Sequence, residues 1–322
     1  MIPPKDELTI CFAHPAYNLQ AFFERRETGI ASFQVRTGDA LAARISEADV
    51  VVVSGLWREA FLENARRLQF IQSVAAGTDM FDRDSLSARG IRLASARGVN
   101  SRAVSDHAMG LILALVRKLP EARDNQSRHV WRGMGKDLSE REDDLGDKTL
   151  LVVGLGAIGN RIAKLAKAFD MRVIGVRRDV SGGKGDADSV HALGELDALL
   201  PQADFVVLAC PLTEATANII NERTLAAMKE TAFLVNVARG GCVHEQALAA
   251  ALKDGRIAGA AVDVAVDEPL AGISPLWDLP NLFITPHTGG ETHRYEDNVL
   301  DILQENLKRL WAGEETLYNQ VV

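Results

Sequence analysis

The chain has 322 residues, room for about two domains at roughly 150 residues each, and 47% of them are hydrophobic, enough to fill two cores. A net charge of −8 argues against nucleic acid or an anionic membrane as the principal partner, and no apolar run approaches membrane-spanning length. Cys11, Cys210 and Cys242 lie far apart with no metal-ligand spacing, and the N-terminus lacks signal-peptide architecture, so a cytoplasmic protein without a metal is expected.

Residues 1–98 alternate short strands with helices. Apolar runs over 8–12, 50–54, 70–74 and 91–94 predict strands, and the spacing over 40–47 and 62–68 predicts helices. This is already a small α/β domain without a phosphate-binding glycine fingerprint. The loop Ser73-Val-Ala-Ala-Gly-Thr-Asp79 follows a predicted strand, where free backbone N–H groups would face a crevice at the carboxyl end of a parallel sheet. From 101 to 119 the pattern predicts one helix, with Asn100 or Ser101 as N-cap and Pro120 just past its end. Its middle, 108–116, is apolar nearly all round, so it should be buried on most sides, between domains or between subunits. The polar stretch that follows, to Gly146, reads as a solvated connecting arm that includes Trp131.

The next stretch organises the chain. The run 150–153 suits a strand buried on both faces, and it ends in Gly154-Leu-Gly-Ala-Ile-Gly159. A helix over 160–169 follows, with Ile162, Leu165, Ala166 and Phe169 on one face, and then a strand over 172–176. In such a turn Gly154 permits the tight bend, Gly156 lets the backbone approach a pyrophosphate, and Gly159 allows close packing of helix on strand. The helix N-terminus then offers free N–H groups to the phosphates, with Ala157 and Ile158 of the turn as further cofactor contacts. This is a Rossmann βαβ unit. About 20 residues past the glycines, where an NAD-selective site carries an acid, stand Arg177 and Arg178, with Asp179 two positions late. Arginine pairs with a 2′-phosphate and cannot accept from a 2′-hydroxyl, so NADP is the expected cofactor and NAD the second choice. Alternation then continues with strands over 205–208, 233–236, 260–264 and 282–284 and helices over 221–228 and 245–253, the latter closed by Gly255. The tail, 293–311, is amphipathic, with Tyr295, Val299, Ile302, Leu303, Leu307 and Leu310 sharing a face and Gly313 ending it.

Function in a doubly wound sheet sits beyond the carboxyl ends of strands. Those ends carry Arg239, Asp263, Glu268 and His287, and together, beside a dinucleotide fingerprint, they mark a site. Here Gly154-Leu-Gly-Ala-Ile-Gly159, Asn236-Val-Ala-Arg-Gly240, Asp263-Val-Ala-Val-Asp-Glu-Pro-Leu270 and Thr285-Pro-His-Thr-Gly-Gly290 resemble the signatures of the D-2-hydroxyacid dehydrogenases, in order and at that family's spacing, over nearly the whole chain. The resemblance implies an α/β protein of two doubly wound parallel-sheet domains. A Rossmann cofactor domain over 99–288 would be inserted into a flavodoxin-like substrate domain formed by 1–98 and 289–322, with the helix near residue 110 in a homodimer interface. It implies Arg239, Glu268 and His287 as the catalytic set. Asp263 would accept from the nicotinamide carboxamide, and Pro211, Val237, His287 and Gly289 would make further cofactor contacts. Ala76, Gly77 and Asn100, with Arg239, would touch the substrate. The remaining histidines, His14, His107, His129, His191, His244 and His293, match no signature and are expected to be structural.

Those residue types suit reduction of a 2-oxo acid to a D-2-hydroxy acid. A planar guanidinium at Arg239 holds a carboxylate bidentately beside the ketone it polarises. The alkoxide left by hydride arrival needs a proton, for which His287 is the acid, and Glu268 would hold the imidazolium. Reduction of glyoxylate or hydroxypyruvate is the narrower expectation. Formate dehydrogenases share the fold but carry Gln where this chain has Glu268, and dinucleotide-sensing corepressors of the same fold keep the triad, leaving a binding protein as the alternative.

Overall fold

A computed structural model describes residues 2–322, Met1 lying outside the described residues. The chain divides into two compact units, one formed by residues 1–100 with 292–322 and the other by 101–291.

The first unit is built on a five-stranded sheet of β1 (Thr9–Ala13), β2 (Ala31–Val35), β3 (Val50–Val53), β4 (Phe70–Ser73) and β5 (Arg92–Ala94). All pairs are parallel and the order is β2-β1-β3-β4-β5, the flavodoxin-like winding. β3 is Val-Val-Val-Val and fully buried, as a strand covered on both faces must be. One face packs on the C-terminal helix Tyr295–Trp311 through Val299, Leu303 and Leu307, and the other on α2 (Gly38–Arg44) and α3 (Arg83–Ala88) through Leu41 and Leu86. A short α1 (Leu19–Glu24) buries Leu19 and Phe23.

The second unit carries seven parallel strands: β6 (Thr149–Val153), β7 (Arg172–Arg177), β8 (Ser189–Ala192), β9 (Phe205–Leu208), β10 (Phe233–Asn236), β11 (Gly259–Val262) and β12 (Leu282–Ile284). Their order, β12-β11-β10-β9-β6-β7-β8, is the Rossmann winding with one extra strand beside β11. The winding reverses between β6 and β9, which opens a crevice beyond their carboxyl ends. Register sets the rest of the site, because Asn236 pairs with Val262 and Val262 with Ile284, so the three chains leave the sheet side by side. α4 (Ser101–Val116) packs on α6 (Ala157–Lys167) and on β10 and β11. Both faces of the sheet are covered by separate apolar clusters.

Several elements differ from expectation for identifiable reasons. Residues 62–68 do not form a helix. A 3-10 turn over Glu59–Glu63 gives way to isolated turns, because Leu62, Ala65 and Leu68 must all reach the core while Arg67 reaches Asp49 at 2.8 Å. The helix predicted over 101–119 ends at Val116, Lys118 turns left-handed (φ +49°), and α5 (Leu119–Ser127) begins with Pro120 in its first turn. Proline there starts a helix, its missing N–H being one that no helix start uses. The expected connecting arm therefore contains a helix. α6 starts three residues earlier than predicted and ends at Lys167, which leaves Phe169 exposed, while Gly159 and Ala163 take the buried face. Two edge strands, β2 and β8, were not anticipated, since neither is an apolar run and each is at most half-buried over nearly its whole length.

Candidate active site

The loop between β6 and α6 has the shape its glycines require. Gly154 sits at φ +106°, and a Cβ there would meet the Cys210 backbone at 2.7 Å. A Cβ on Gly159 would stand 2.0 Å from the Gly154 carbonyl oxygen. At Gly156, by contrast, the space around a Cβ is open, so a ligand can approach the backbone. Gly156 is also the N-cap of α6, and no side chain caps that end of the helix. Asn160 pins the loop by donating to the Leu155 and Gly156 carbonyls at 3.0 and 3.1 Å. An uncapped helix start behind an open glycine backbone fits a dinucleotide pyrophosphate. Pro211 follows Cys210 beside this loop, and its carbonyl accepts from Thr216 Oγ1 at 2.7 Å. Val237 is buried at the end of β10, tied to the Leu208 carbonyl at 3.2 Å.

At the end of β7, Arg177 folds back on its own loop, donating to the carbonyls of Asp179, Gly182 and Gly183. Arg178 is exposed. The Asp179 carboxylate accepts from the Ser181 N–H at 2.9 Å and hydroxyl at 2.6 Å, which caps a 3-10 turn and holds the acid below its usual range.

Arg239, Glu268 and His287 lie just beyond β10, β11 and β12. His287 adopts a left-handed backbone (φ +55°), a conformation costing a residue with a Cβ about 1–3 kcal/mol. Its Nδ1 lies 2.6 Å from Glu268 Oε2, and the other carboxylate oxygen accepts from the Ala265 N–H at 3.0 Å. Burial raises the Glu268 carboxyl, but the bonds from His287 and Ala265, with the charge of Arg239, outweigh it and leave the group below the usual carboxylate range. With Nδ1 committed to a carboxylate, Nε2 is the atom left for proton transfer. Arg239 is exposed and aligned by its own chain, Nη1 donating to the Ala238 carbonyl at 2.7 Å. The turn that carries it is clamped by the buried amide of Asn236, which donates to the Arg239 carbonyl at 3.0 Å and accepts from the Ala238 N–H at 3.0 Å. A cavity of about 530 Å³ adjoins the His287–Glu268 pair, walled mainly by apolar side chains such as Leu248, Leu270, Leu276 and Trp277.

Asp263, almost wholly buried, is held by four groups. Oδ1 lies 2.6 Å from Thr285 Oγ1, 3.1 Å from the Thr288 N and 3.4 Å from His107 Nε2, and Oδ2 accepts from the Gly289 N–H at 2.9 Å. Burial raises its carboxyl, yet these bonds bring it below the ordinary value. Sequence reasoning missed three members of this constellation. Asn236 and Thr285 stand inside the quoted signatures, and His107 is the polar interruption on the apolar face of α4. Of the other expected structural histidines, His244 caps the helix Glu245–Lys253 by accepting from the Ala247 N–H. Ala76, Gly77 and Asn100 belong to the first unit, the former two on the loop after β4 and the last at the end of that unit's N-terminal segment.

Residues 109–289 match the model of the D-isomer specific 2-hydroxyacid dehydrogenase NAD-binding domain. The glyoxylate reductase of Thermococcus gammatolerans is 36% identical over 294 residues, covering 90% of this chain and 85% of that protein. The D-3-phosphoglycerate dehydrogenase of Methanocaldococcus jannaschii is 36% identical over 292 residues, 88% of this chain and 54% of that protein. This chain thus spans about half the length of such phosphoglycerate dehydrogenases. Among solved structures, a D-isomer specific 2-hydroxyacid dehydrogenase family protein from Aeromonas salmonicida superposes with a TM-score of 0.84 at 29% identity, covering 98% of this chain and 99% of the other.

Proposed function

The chain belongs to the D-isomer specific 2-hydroxyacid dehydrogenase family, and from that premise we propose that it reversibly transfers a hydride between NAD(P)H and a 2-oxo acid, giving a D-2-hydroxy acid. The observation that carries the reading is the His287–Glu268 pair at 2.6 Å, at the strand ends that also present Arg239 and Asp263. When bound, the nicotinamide supplies or accepts the hydride. Arg239 holds the substrate carboxylate through its guanidinium fork and draws electron density from the adjacent carbonyl. His287 Nε2 delivers a proton to the carbonyl oxygen as the carbon is reduced, and takes it back in the reverse direction. Glu268 keeps the ring oriented through its contact with Nδ1. Ala76, Gly77 and Asn100 are the proposed further substrate contacts, with glyoxylate and hydroxypyruvate as the narrower substrates. Pro211, Val237 and Gly289 are proposed to line the dinucleotide.

The proposed cofactor is NADP, with NAD as second choice. Support comes from the end of β7, where no free acid awaits a ribose 2′-hydroxyl, because Asp179 is spent on Ser181. Arg177 shapes the loop and the exposed Arg178 is the guanidinium free to meet a 2′-phosphate. A homodimer is proposed on the exposed apolar side chains Trp131, Met134 and Leu138, which ask for cover. A cytoplasmic setting fits three buried, unbridged cysteines. The test is kcat/KM for NADPH and NADH with one good 2-oxo acid, in wild type and in Arg178→Ala. NADPH should be favoured several-fold and the ratio should fall in the variant. Equal use of both, unchanged by the substitution, overturns the cofactor assignment. Dinucleotide binding without turnover of any 2-oxo acid makes the chain a sensor.

A further inference from the structure

His107 is on α4, near the middle of a helix packed mainly through apolar side chains. Its imidazole Nε2 lies 3.0 Å from Thr285 Oγ1 and 3.4 Å from Asp263 Oδ1. The ring presses against Gly289, where a Cβ would stand 2.8 Å from its Cδ2 and 2.7 Å from Asp263 Oδ2. One helix thus reaches into the strand-end turn that holds Asp263.

The protons in this cluster can be assigned by elimination. Thr285 has one hydroxyl proton, and its 2.6 Å contact with the Asp263 carboxylate requires it there, since two bare oxygens would repel. The Thr285 oxygen must then accept from His107, so the Nε2 of His107 carries a proton. The relay runs from His107 through Thr285 to Asp263 Oδ1. Oδ1 also meets the Thr288 N–H, whereas Oδ2 has the Gly289 N–H. A carboxylate offers about four lone-pair positions. Oδ1 is thereby filled, and Oδ2 keeps one position, whose direction is fixed by the rotation of the carboxylate.

We propose that His107, acting through Thr285, is a positioning residue that locks the Asp263 carboxylate so that its remaining Oδ2 lone pair faces the nicotinamide carboxamide. The inference rests on the nicotinamide reading given above. It assigns a role to a helix residue outside the strand-end signatures. Removing the Nε2 donor frees the Thr285 hydroxyl to turn and lets the carboxylate rotate, which weakens a charge-assisted hydrogen bond to the carboxamide. Contacts with the adenosine and pyrophosphate, made from other loops of the same unit, do not change.

The test measures affinity by titration for three probes. The first is the reduced dinucleotide that wild type prefers, the second the same molecule lacking the nicotinamide ring, and the third its 3-acetylpyridine analogue, which has a methyl ketone in place of the carboxamide. His107→Phe should bind the intact dinucleotide roughly tenfold more weakly, the scale of a lost hydrogen bond to a charged group. It should bind the ring-less probe as wild type does and show no extra loss with the acetylpyridine analogue. His107→Gln, whose amide nitrogen can take the place of Nε2, should restore most of the affinity. Thr285→Val should reproduce the loss, and combining it with His107→Phe should add little. Equal losses for all three probes would make His107 a mere packing residue, and wild-type affinity in His107→Phe would remove it from the site. Failure of the underlying reading shows separately, as wild type that gains nothing from the nicotinamide ring.

Discussion

A single imidazole has two nitrogens, and the contact at one decides what the other does. Because His287 Nδ1 is bound to Glu268 at 2.6 Å, chemistry falls to Nε2, and the ring is expected to add little to a dinucleotide grip made on the Gly154 loop. His287→Ala should therefore lower kcat by about 10²–10⁴-fold, the range for a general acid, while dinucleotide affinity stays within a few-fold of wild type. Parallel steady-state kinetics and fluorescence titration check both halves, and a variant keeping most of its kcat would remove His287 from proton transfer. Residues of this kind were legible in the sequence because each follows a strand inside a short signature. Asn236 and Thr285 were hidden in the same signatures, since nothing in their spacing separates a clamp from a strand-end residue. His107 was illegible for a stronger reason: its partners are 156 and 178 positions away, and only packing of α4 on the sheet unites them.

At the scale of elements, the loops leaving β10 and β11 behave as one object. Gly240 is buried where those loops cross, and a Cβ there would meet the Ala265 carbonyl carbon and oxygen at 2.0 Å. Ala265 is also the residue whose N–H holds Glu268. Gly240→Ala must push the crossing apart, moving Arg239 on one side and the Glu268 anchor on the other. We expect kcat/KM to fall by at least about 10²-fold, as for a displacement of reacting groups by about 1 Å, and stability to drop by about 1–3 kcal/mol, as for other overpacked sites. Affinity for a probe lacking the nicotinamide ring should hold, because β9 stands between β10 and the strand that carries the glycine loop. Kinetics with a urea midpoint would test this, and unaltered kcat/KM would show that the loops slide independently. The central strands were readable because burial on both faces demands an apolar run. The edges β2 and β8 were not, since one-sided exposure mixes polar residues into them, and the α4–α5 boundary was obscured by a proline that ends one helix pattern and starts another.

The whole molecule carries titrating groups displaced in opposite directions, and together they shape stability against pH. Asp263, Glu268, Asp143 and Asp188 all lie below their ordinary values in the folded chain. Each is depressed, so the unfolded chain binds more protons across the carboxylate range, and the stabilisation is complete above the ordinary values of 3.8 and 4.5. It is lost as pH falls through the folded values, which gives an acid limb. On the alkaline side, burial pushes the Cys11 thiol from 9.0 up to about 12 and the Tyr295 hydroxyl from 10.0 up to about 12. Each is raised, so its contribution is complete below the unfolded value and is lost as pH rises toward the folded one. Cys11 precedes Tyr295 because its unfolded value is the lower, and the contact with Cys242 and burial raise the Cys210 thiol from the same 9.0. Tm should accordingly plateau near neutrality and decline on both sides, with the alkaline decline beginning near pH 9, the ordinary thiol value. Cys11 lies at the centre of β1 with no exposed surface, so Cys11→Val keeps an apolar side chain in the core and removes the titration. In that variant the alkaline decline should become shallower, carried by the Cys210 thiol and Tyr295 that remain, while the acid limb is unchanged. Tyr295→Phe loses the bond to the Val74 carbonyl, a loss of about 0.5–1.5 kcal/mol at every pH below the limb, and should lower the plateau as well as flatten the decline above it. Calorimetric Tm over pH 3–11 reads all three chains, and an alkaline limb identical in wild type and Cys11→Val would show that the thiol is not what sets it.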